Sequence, residues 1–472
     1  MPGIYSAGNR SIPIYGQLFI PHGNGGRKRR VVSSEQRVPP NCLRFCLMRI
    51  LLINTFHYPR GGASIYVLGL ADLLRERGHE VFHFAMRHPL SLRCPETEEY
   101  WPSYINYPEL LEKGVFRNSL KVLKRTLYSS EAKDGLAHLL DELGPVDIAH
   151  ANNILHYLTP AVFEPLKAQN IPIIWSLHDY SLICPNTNFF DQRSNRLCSK
   201  CLKGGLRFIH APIRRCKKSS FGASLVAALE SWRHRIKGVP QIPDLYISPS
   251  EFLAERFFDA GFNREKFAIV PNFGPVPTEF PPKTRFPRGT RDSYVLFAGR
   301  LSPEKGVATL VEAWKRVPRN ATLRVAGTGP IEDRLRKIAS GAGNIEFLGF
   351  LDPADLARIR RNARFLVIPS EWWENAPLTI LEAFSDAVPI LGSNIGGIPE
   401  MVRPGETGEL FEPGNVDDLA EKAKYLWDNP DYCVELGRKA RRVAANEYSP
   451  DAHIGRIEKI YRELISGRSS ET

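Results

Sequence analysis

The hydrophobic positions in the first half of the chain occur in short runs separated by helical patterns. Compact apolar runs predict strands at 50–54, 80–85, 147–150, 173–177 and 245–248. Between the first two, apolar residues at helical spacing predict a helix over about 64–77, which Gly78 ends. Strands that alternate with helices are typical of a parallel sheet covered by helices on both faces.

A proline-rich stretch divides this pattern in two. Residues 271–292 contain six prolines, and we predict that 276–292 form an interdomain linker. Beyond it, apolar runs predict strands at 294–298, 322–326, 345–348, 365–368 and 389–391. The sequence therefore predicts an α/β protein with two doubly wound, Rossmann-like domains that face each other across a cleft. Ligands of such sheets bind beyond the carboxyl ends of the strands, so we expect them in the cleft.

The two ends of the chain differ from these domains. Residues 1–47 are rich in Gly, Pro, Ser and Arg without sustained periodicity, which predicts a disordered extension. An apolar strand starts directly afterwards, so Met48 is a second candidate for the translation start. We place the N-terminal domain at 48–275 and the C-terminal domain at 293–446. An amphipathic pattern within 447–472 predicts a final helix that packs back on the N-terminal domain.

The composition is that of an ordinary globular protein. The 472 residues are 43% hydrophobic and 24% charged, which suits two or three domains. No window approaches ~20 consecutive apolar residues, and the first residues lack the features of a signal peptide. Eight cysteines in a chain of this length do not indicate a disulfide scaffold. We therefore expect a cytoplasmic protein without a membrane-spanning helix.

The net charge of +12 favours anionic partners such as nucleotide diphosphates, anionic lipids or nucleic acid. The segment 203–237 concentrates this charge, with nine Lys or Arg residues against Glu230 alone. Apolar residues are interleaved with them: Phe208, Ile209, Phe221, Leu225 and Trp232. One interpretation is a solvated basic face. The other is contact with an anionic membrane surface, which would place the protein peripherally on the inner membrane face.

Two glutamates with seven residues between them, Glu374 and Glu382, follow the predicted strand at 365–368. Pro377 is expected at the first position of a helix that contains Glu382. A helix N-terminus presents unpaired N–H groups and a positive dipole end, which suit a diphosphate. The two carboxylates can then accept hydrogen bonds from sugar hydroxyls on either side. The alternative is an ordinary loop glutamate and an ordinary helix glutamate.

A glycine-rich loop with Gly299, Arg300 and Lys305 follows the first strand of the second domain. Two fixed cations in this position can neutralise a diphosphate leaving group, which otherwise needs a metal ion. The alternative is a pair of surface basic residues. Gly327 and Gly329 follow the next strand, where a Gly-x-Gly pattern is also consistent with a simple turn.

Taken in order, these motifs resemble the retaining GT-B glycosyltransferases of family 4, which use nucleotide-sugar donors. The resemblance covers nearly all of 294–412, including Gly-x-Gly-Pro at 327–330, Phe-Leu-Gly at 347–349 and Gly-Gly-Ile-Pro-Glu at 396–400. The N-terminal half matches more loosely, through Gly61-Gly62 and the strand that ends in His178-Asp179. The family's usual Gly-Phe-Gly after the first glutamate is replaced by Asn-Ala-Pro at 375–377, which leaves the donor open.

The resemblance implies a role for each candidate residue. Arg300 and Lys305 would bind the donor diphosphate. Glu382 would bind the ribose hydroxyls, and Glu374 the transferred sugar. His178 would lie across the cleft and donate or accept a hydrogen bond at the sugar or the leaving group. The other donor-binding positions expected are Gly61, Gly62, Gly299, Gly327, Gly329, Ala376, Pro377, Leu378 and Thr379.

In this family the transfer is thought to proceed on one face of the sugar, with the departing phosphate taking the acceptor proton. The chain contains no Asp-x-Asp motif. We therefore expect metal-independent transfer, in which Arg300 and Lys305 balance the charge of the leaving group.

Four of the eight cysteines lie in a segment directly after His178. Cys184, Cys198, Cys201 and Cys216 include one Cys-x-x-Cys pair, which is typical of a zinc knuckle. The residues between them are loop-like and lack a core of their own, so a structural zinc would order this insert of about 184–216. The alternatives are four unrelated thiols or, less favoured, an iron–sulfur cluster. The insert is expected to shape the acceptor side.

The sequence therefore predicts a glycosyltransferase that moves a sugar from a nucleotide donor to a glycan or lipid-linked acceptor, in polysaccharide biosynthesis. An alternative within enzymes is a nucleotide-sugar epimerase or hydrolase of GT-B fold. A nucleic-acid-binding protein is a distant alternative, because it gives the glutamates and glycine-rich loops no purpose; no nucleic acid partner is expected.

Overall fold

The structure, a computed structural model, describes residues 47–106, 124–191, 193–275 and 294–469. The predicted linker at 276–292 and all but the last residue of the predicted N-terminal extension lie outside these ranges. Within the described residues, no helix is both long and apolar enough to cross a membrane.

The N-terminal half is built on a parallel sheet. The strands of this half are β1 (Arg49–Ile53), β2 (Glu80–Phe84), β3 (Ile148–Ala151), β4 (Ile173–Ser176), β5 (Phe190–Asp191), β6 (Arg196–Leu197), β7 (Leu245–Ser248) and β8 (Phe267–Ile269). Six of them form one sheet in the order β2-β1-β3-β4-β7-β8 with all pairs parallel. The short strands β5 and β6 pair separately as an antiparallel hairpin.

Helices connect these strands. They are α1 (Gly62–Glu76), α2 (Ser130–Leu143), α3 (Phe163–Ala168), α4 (His210–Arg214), α5 (Phe221–Ile236) and α6 (Glu251–Asp259). Ser129, Ser220 and Ser250 start α2, α5 and α6, because each hydroxyl accepts a hydrogen bond from a backbone N–H of the first turn.

The C-terminal half repeats the architecture. Its strands are β9 (Tyr294–Ala298), β10 (Thr322–Ala326), β11 (Ile345–Gly349), β12 (Leu366–Ile368), β13 (Ile390–Ser393) and β14 (Gly408–Phe411). They form a parallel sheet in the order β11-β10-β9-β12-β13-β14, which reverses direction between β9 and β12. This is the strand order of a doubly wound dinucleotide-binding sheet, so the predicted fold class is confirmed.

The helices of this half lie between and after these strands. They are α7 (Val307–Trp314), α8 (Glu332–Ile338), α9 (Pro353–Asn362), α10 (Leu378–Ser385), α11 (Ile398–Met401), α12 (Val416–Asp428), α13 (Pro430–Glu447) and α14 (Pro450–Ser469). The sequence predicted Pro377 as the first residue of α10. In the structure Pro377 is the N-cap residue, and the helix starts at Leu378.

The last helix, α14, packs on the N-terminal sheet. Its residues Ile454, Ile457 and Tyr461 are buried in one cluster with Met48 and Ile50 around β1. Two hydrogen bonds fix the contact. One joins the Tyr461 hydroxyl to His150 Nδ1 at 2.6 Å, and the other joins Tyr66 and His453 at 3.1 Å. The end of the chain thereby belongs to the N-terminal core.

The cysteine-rich insert is ordered by packing into the N-terminal core, a source of order that the sequence did not predict. The side chains of Phe189, Phe190 and Phe208 are almost fully buried, and Phe189 and Phe208 belong to the main N-terminal cluster. The burial of these aromatic rings stabilises the hairpin β5–β6 and helix α4. Order in this segment therefore does not require a metal ion.

Candidate active site

The candidate site lies where the strand order of the C-terminal sheet reverses. β9 and β12 are parallel neighbours at this point. The loops that follow them therefore lie at the same edge of the sheet. The loop after β9 carries Arg300 and Lys305, and the loop after β12 carries Glu374. Reversal points of this kind open a crevice at the strand ends. The topology therefore brings together two loops that are distant in sequence.

Glu374 and Lys305 form an ion pair in this crevice. Lys305 Nζ lies 2.7 Å from Glu374 Oε1, which also accepts a 2.7 Å hydrogen bond from Ser370 Oγ. The Glu374 side chain is 8% exposed. Its Oε2 atom has no hydrogen-bond partner in the described chain, so it can accept one from a ligand hydroxyl. Ser370, for which no role was predicted, orients this carboxylate.

Arg300 is exposed at the mouth of the crevice and makes no salt bridge within the described residues. Its guanidinium group is therefore available to an anion. Two buried atoms on the loop after β12, Trp372 Nε1 and Asn375 Oδ1, also lack hydrogen-bond partners in the described chain. Unsatisfied buried polar atoms are rare in folded proteins, and these two lie on the loop that carries Glu374.

Helix α10 starts beside Glu374 with an open N-terminus. Its N-cap residue Pro377 provides no side-chain hydrogen bond, and the first turn contains no acidic residue. The backbone N–H groups of Leu378 and Thr379 thus have no capping side chain, and the positive end of the helix dipole is not neutralised. Ala376 and Pro377 lead the chain into this helix. The N-terminus can hold a phosphate group.

Glu382 lies one turn further along α10 and is held by an arginine. Arg360 Nη1 donates a 2.8 Å hydrogen bond to Glu382 Oε2, and Arg360 Nε donates to Asp386 at 2.8 Å. Burial raises the pKa of Glu382. The carboxylate also lines a small cavity together with Ile65 of α1 and Leu378. Glu382 therefore faces the N-terminal domain, and Arg360 is a supporting residue that the sequence did not reveal.

The glycine pair Gly61-Gly62 lies opposite α10. Gly62 is the first residue of α1, and a Cβ atom there would lie 3.5 Å from Leu378 Cδ1. A Cβ atom on Gly61 would meet no heavy atom within 4 Å. The start of α1 thus borders the same space as the start of α10, and Gly61 leaves that space open.

His178 follows β4 and contacts the C-terminal domain through its backbone. Its carbonyl oxygen accepts a 2.7 Å hydrogen bond from Asn375 Nδ2. Burial lowers the pKa of His178 to about 4, so the imidazole is neutral at pH 7. Its Nε2 atom lies 2.9 Å from Asn152 Oδ1, which requires a proton on Nε2 and leaves Nδ1 as an acceptor. Asn152 is a further residue without a sequence signal.

The predicted Gly-x-Gly motif supports the loop after β9. A side chain at Gly327 would overlap the carbonyl oxygen of Gly299, and one at Gly329 would overlap that of Leu301. Gly327 also has a φ of +133°, which side chains disfavour. The two glycines let the loops after β9 and β10 pack backbone against backbone. Their closest contacts are with the segment that carries Arg300.

A second glycine pair, Gly396-Gly397, supports the loop of Glu374. The backbone N–H of Gly397 donates a 2.7 Å hydrogen bond to the carbonyl oxygen of Glu374. A side chain at Gly397 would overlap the carbonyl oxygen of Asn375. The sequence singled out this pair as part of a motif without a role. The structure shows that it holds the glutamate loop in place.

The four cysteines line one small cavity of the insert, but the predicted zinc site is not supported. Cys184, Cys198, Cys201 and Cys216 are free thiols. Burial raises the pKa of Cys184 to about 11 and that of Cys216 to about 12, so both are protonated at neutral pH. Across the described ranges, no group of three or more His, Cys, Asp or Glu residues is arranged to hold a metal ion.

Comparison with known proteins agrees with this geometry. Residues 282–443 match the model of the glycosyl transferases group 1, and residues 60–274 match that of glycosyltransferase family 4. An uncharacterized glycosyltransferase of Methanocaldococcus jannaschii is 30% identical over 83% of this chain and 93% of its own. An uncharacterized protein of the cps region of Klebsiella pneumoniae is 25% identical over 88% of this chain and 100% of its own.

Other curated relatives match over a smaller part of their length. This chain covers only 21%, 42% and 48% of three of them. Among solved structures, Anabaena HepE in complex with UDP and glucose covers 88% of this chain and 99% of its own. The TM-score is 0.57 at 18% identity, so this likeness concerns the fold. The family matches and the full-length relative show that the chain belongs to the group 1 glycosyltransferases of family 4.

Proposed function

We propose that the protein transfers a hexose from a nucleoside-diphosphate donor to a hydroxyl group of a glycan or lipid-linked acceptor, with retention of the anomeric configuration. The observation that carries this proposal is the Glu374–Lys305 ion pair beside the open N-terminus of α10. One crevice thereby holds a carboxylate that can bind sugar hydroxyls and two kinds of anion-binding group, the Lys305 ammonium group and the N–H groups of the helix N-terminus.

The diphosphate would lie between α10 and the loop after β9. Arg300, which is exposed and forms no salt bridge with the residues that the structure describes, and Lys305 supply two positive charges. The uncapped N–H groups of Leu378 and Thr379 supply hydrogen bonds. Negative charge grows on the phosphate oxygen as the bond to the sugar breaks, and these groups stabilise it in the transition state. Such a cluster of cations supports transfer without a catalytic metal ion.

The two glutamates would hold the groups on either side of the diphosphate. Glu374 Oε2 accepts a hydrogen bond from a hydroxyl of the transferred sugar. Glu382 accepts hydrogen bonds from the ribose through the oxygen that Arg360 leaves free. Burial raises the pKa of Glu382, and the paired Arg360 guanidinium partly offsets that rise.

The reaction would proceed on one face of the sugar. The acceptor oxygen bonds to the anomeric carbon while the bond from that carbon to the phosphate oxygen breaks, and the released phosphate takes the acceptor proton. The lowered pKa of His178, about 4, makes its imidazole a weak base, so we assign it a hydrogen bond at the sugar or leaving group and no role as a general base.

A donor panel tests this proposal. Uridine-, guanosine- and adenosine-diphosphate hexoses are compared by the melting temperature of the protein and by acceptor-dependent nucleotide release. UDP-glucose comes first because HepE was solved with UDP and glucose. We expect one donor to stabilise wild type and the surface variant Arg316→Ala, but Arg300→Ala much less. Release of free sugar at the same rate without acceptor would favour the epimerase or hydrolase alternative, and absence of any donor effect would overturn the proposal.

The acceptor is proposed to be a growing polysaccharide. A relative whose name places it in the cps region of Klebsiella pneumoniae matches this chain along the whole of the relative's length, which supports this proposal. The cysteine-rich insert follows His178 directly and contacts the site, so it would shape the acceptor side of the cleft.

A lipid-linked acceptor would fit the basic segment 203–237. Helices α4 and α5 leave large apolar side chains exposed next to basic ones. The exposed apolar residues are Leu206, Ile209, Ile213, Phe221, Leu229 and Ile236, and the exposed basic residues are Lys203, Arg215, Lys218, Arg235 and Lys237. Phe208, which the sequence placed among the interleaved residues, is instead buried in the core. We propose that this segment touches an anionic membrane surface.

Vesicle sedimentation tests the membrane contact. The protein should sediment with vesicles that contain anionic lipid and much less with neutral vesicles, because Lys and Arg are attracted to anionic headgroups. Ile236→Ser combined with Lys237→Gln should weaken this binding. Tyr425→Ser, which changes an exposed aromatic residue of α12, serves as control. Equal binding of all three proteins to anionic vesicles would exclude this segment as the contact.

A further inference from the structure

Trp373, the residue before Glu374, packs into the opposite domain. The centre of its ring lies 5.4 Å from that of Phe189, 5.6 Å from that of Phe252 and 6.4 Å from that of Tyr180. These three residues belong to the N-terminal domain, and we call them the aromatic socket. Trp373 packs against the main N-terminal cluster, although its backbone belongs to the C-terminal domain.

Backbone atoms on both sides of Glu374 are tied to the same region. The Tyr180 hydroxyl donates a 3.2 Å hydrogen bond to the carbonyl oxygen of Trp373. Asn375 Nδ2 donates a 2.7 Å hydrogen bond to the carbonyl oxygen of His178. Glu374 is therefore the centre of a three-residue segment whose two neighbours both bind the N-terminal domain.

Helix α6, which provides Phe252, is held to the C-terminal domain at a second point. The carboxylate of Glu400 accepts hydrogen bonds from the backbone N–H groups of Glu251 at 2.9 Å and Phe252 at 2.6 Å. This contact caps the N-terminus of α6 with a residue from the other domain. The Arg256 guanidinium lies 5.5 Å from the centre of the Trp373 ring. The socket is thus held to the C-terminal domain at a second point, beside Trp373.

We infer that Trp373 is a positioning residue, which aims the Glu374 carboxylate at the sugar by docking in the aromatic socket. The inference rests on the proposed transfer function. It assigns the cysteine-rich insert a part in the donor site, because Phe189 of that insert forms one wall of the socket. Of the groups that would bind the diphosphate, Lys305 pairs with Glu374, but Arg300 and the N–H groups at the start of α10 lie outside the segment that the socket holds.

This difference predicts a kinetic signature. Removing the ring should loosen the Glu374 loop, and a misplaced catalytic group costs up to about 100-fold in rate. We expect Trp373→Ala to lower kcat at least about 10-fold while the Kd of the free nucleoside diphosphate changes less than about 2-fold. Trp373→Phe should retain most of the activity, because a smaller ring can still occupy the socket.

A double-mutant cycle across the domain boundary tests the inference. Phe252→Ala should lower kcat less than Trp373→Ala does, because Phe189 and Tyr180 still contact the ring. The double variant should be no worse than Trp373→Ala alone, because the ring that Phe252 contacts is then already absent. Tyr425→Ala, far from the site, is the control for loss of an aromatic ring. Wild-type kcat in Trp373→Ala, or additive losses in the double variant, would refute the positioning role.

Hydrogen exchange provides a readout that does not depend on activity. Phe252→Ala should speed amide exchange in residues 371–376 of the other domain, because the loop loses its anchor. Unchanged exchange there would contradict the inference even if the variant lost activity. If wild type transferred no sugar, the proposed function would fail, while the exchange experiment would still decide whether the socket anchors the loop.

Discussion

At the scale of single residues, the chemistry of the site depends on partners that are distant in sequence. Lys305 and Ser370 hold one oxygen of Glu374, and Arg360 holds one oxygen of Glu382. In each case the other oxygen is left to accept hydrogen bonds. The two cationic partners therefore hold both carboxylates in place, with one oxygen of each directed to hydroxyl groups.

Replacing Glu374 should impair catalysis strongly. Glu374→Gln keeps the shape of the side chain but loses its charge, and a charged hydrogen bond contributes about 1.5–3 kcal/mol. We expect kcat/KM to fall about 10- to 100-fold. Lys305→Ala should act in the same direction, since it also leaves Glu374 without its cation. Steady-state kinetics with the preferred donor measures this. Glu312→Gln, which breaks an exposed ion pair with Lys315, is the control and should have wild-type kinetics.

At the scale of elements, glycines decide how closely the loops of the site can approach one another. The pair Gly396-Gly397 lies under the Glu374 loop, and Gly327 and Gly329 lie under the loop of Arg300. In both places a backbone carbonyl occupies the position of the missing side chain. The loops are therefore positioned by backbone packing as well as by their own hydrogen bonds.

A methyl group at Gly397 should displace the glutamate loop. Gly397→Ala would push Asn375 and Glu374 away from their positions, and we expect kcat to fall at least about 10-fold because the carboxylate moves. Gly343→Ala is the matched control, since its added methyl group would meet no heavy atom within 4 Å. A kinetic assay on both variants decides. Normal turnover in Gly397→Ala would mean that the loop tolerates the shift.

The sequence predicted elements better than it predicted contacts. Apolar runs located β1 to β4, β7 and β9 to β13, because buried parallel strands consist of short apolar segments, whereas β8 and β14 were not predicted. The hairpin β5–β6 was missed, since two-residue strands leave no periodic signal. The order within the insert was misjudged, because Phe189 and Phe208 are buried by residues far away in sequence. Asn152 and Arg360 were also missed. Neither belongs to a motif, and each contacts a site residue that is distant in sequence.

At the scale of the whole molecule, the last helix packs against the first domain of the chain. Helix α14 packs on the sheet that contains β1, and the Tyr461 hydroxyl bonds to His150 inside that sheet. The loop after β12 meanwhile docks in the aromatic socket. The two domains are thus connected both through the end of the chain and through the site, and histidines are buried at several of these contacts.

Acid should destabilise the folded protein through these histidines. Burial lowers the pKa of six of them below the ordinary value near 6.5: His57, His83, His150, His178, His234 and His453. The unfolded chain binds more protons than the folded one between these values, so stability present above pH 6.5 is lost as the pH falls toward 4. We expect the melting temperature to fall steadily over this range.

Variants of single histidines check the origin of this pH dependence. His150→Gln removes the group whose pKa burial lowers to about 3, and it should flatten the decline of the melting temperature with acid. His138 is exposed, and His138→Gln should leave the decline unchanged. Thermal melts at half-unit pH steps from 7 to 4.5 measure both. Identical slopes in the two variants would show that buried histidines do not cause the effect.

Product stereochemistry tests the central claim most directly. The protein is incubated with its preferred nucleotide-sugar, an acceptor glycan and EDTA, and the product is followed by proton NMR. We predict one nucleoside diphosphate released for each new glycosidic bond, and an anomeric configuration equal to that of the donor. Release of nucleotide with free sugar as the sole product, or a product of inverted configuration, would contradict the account.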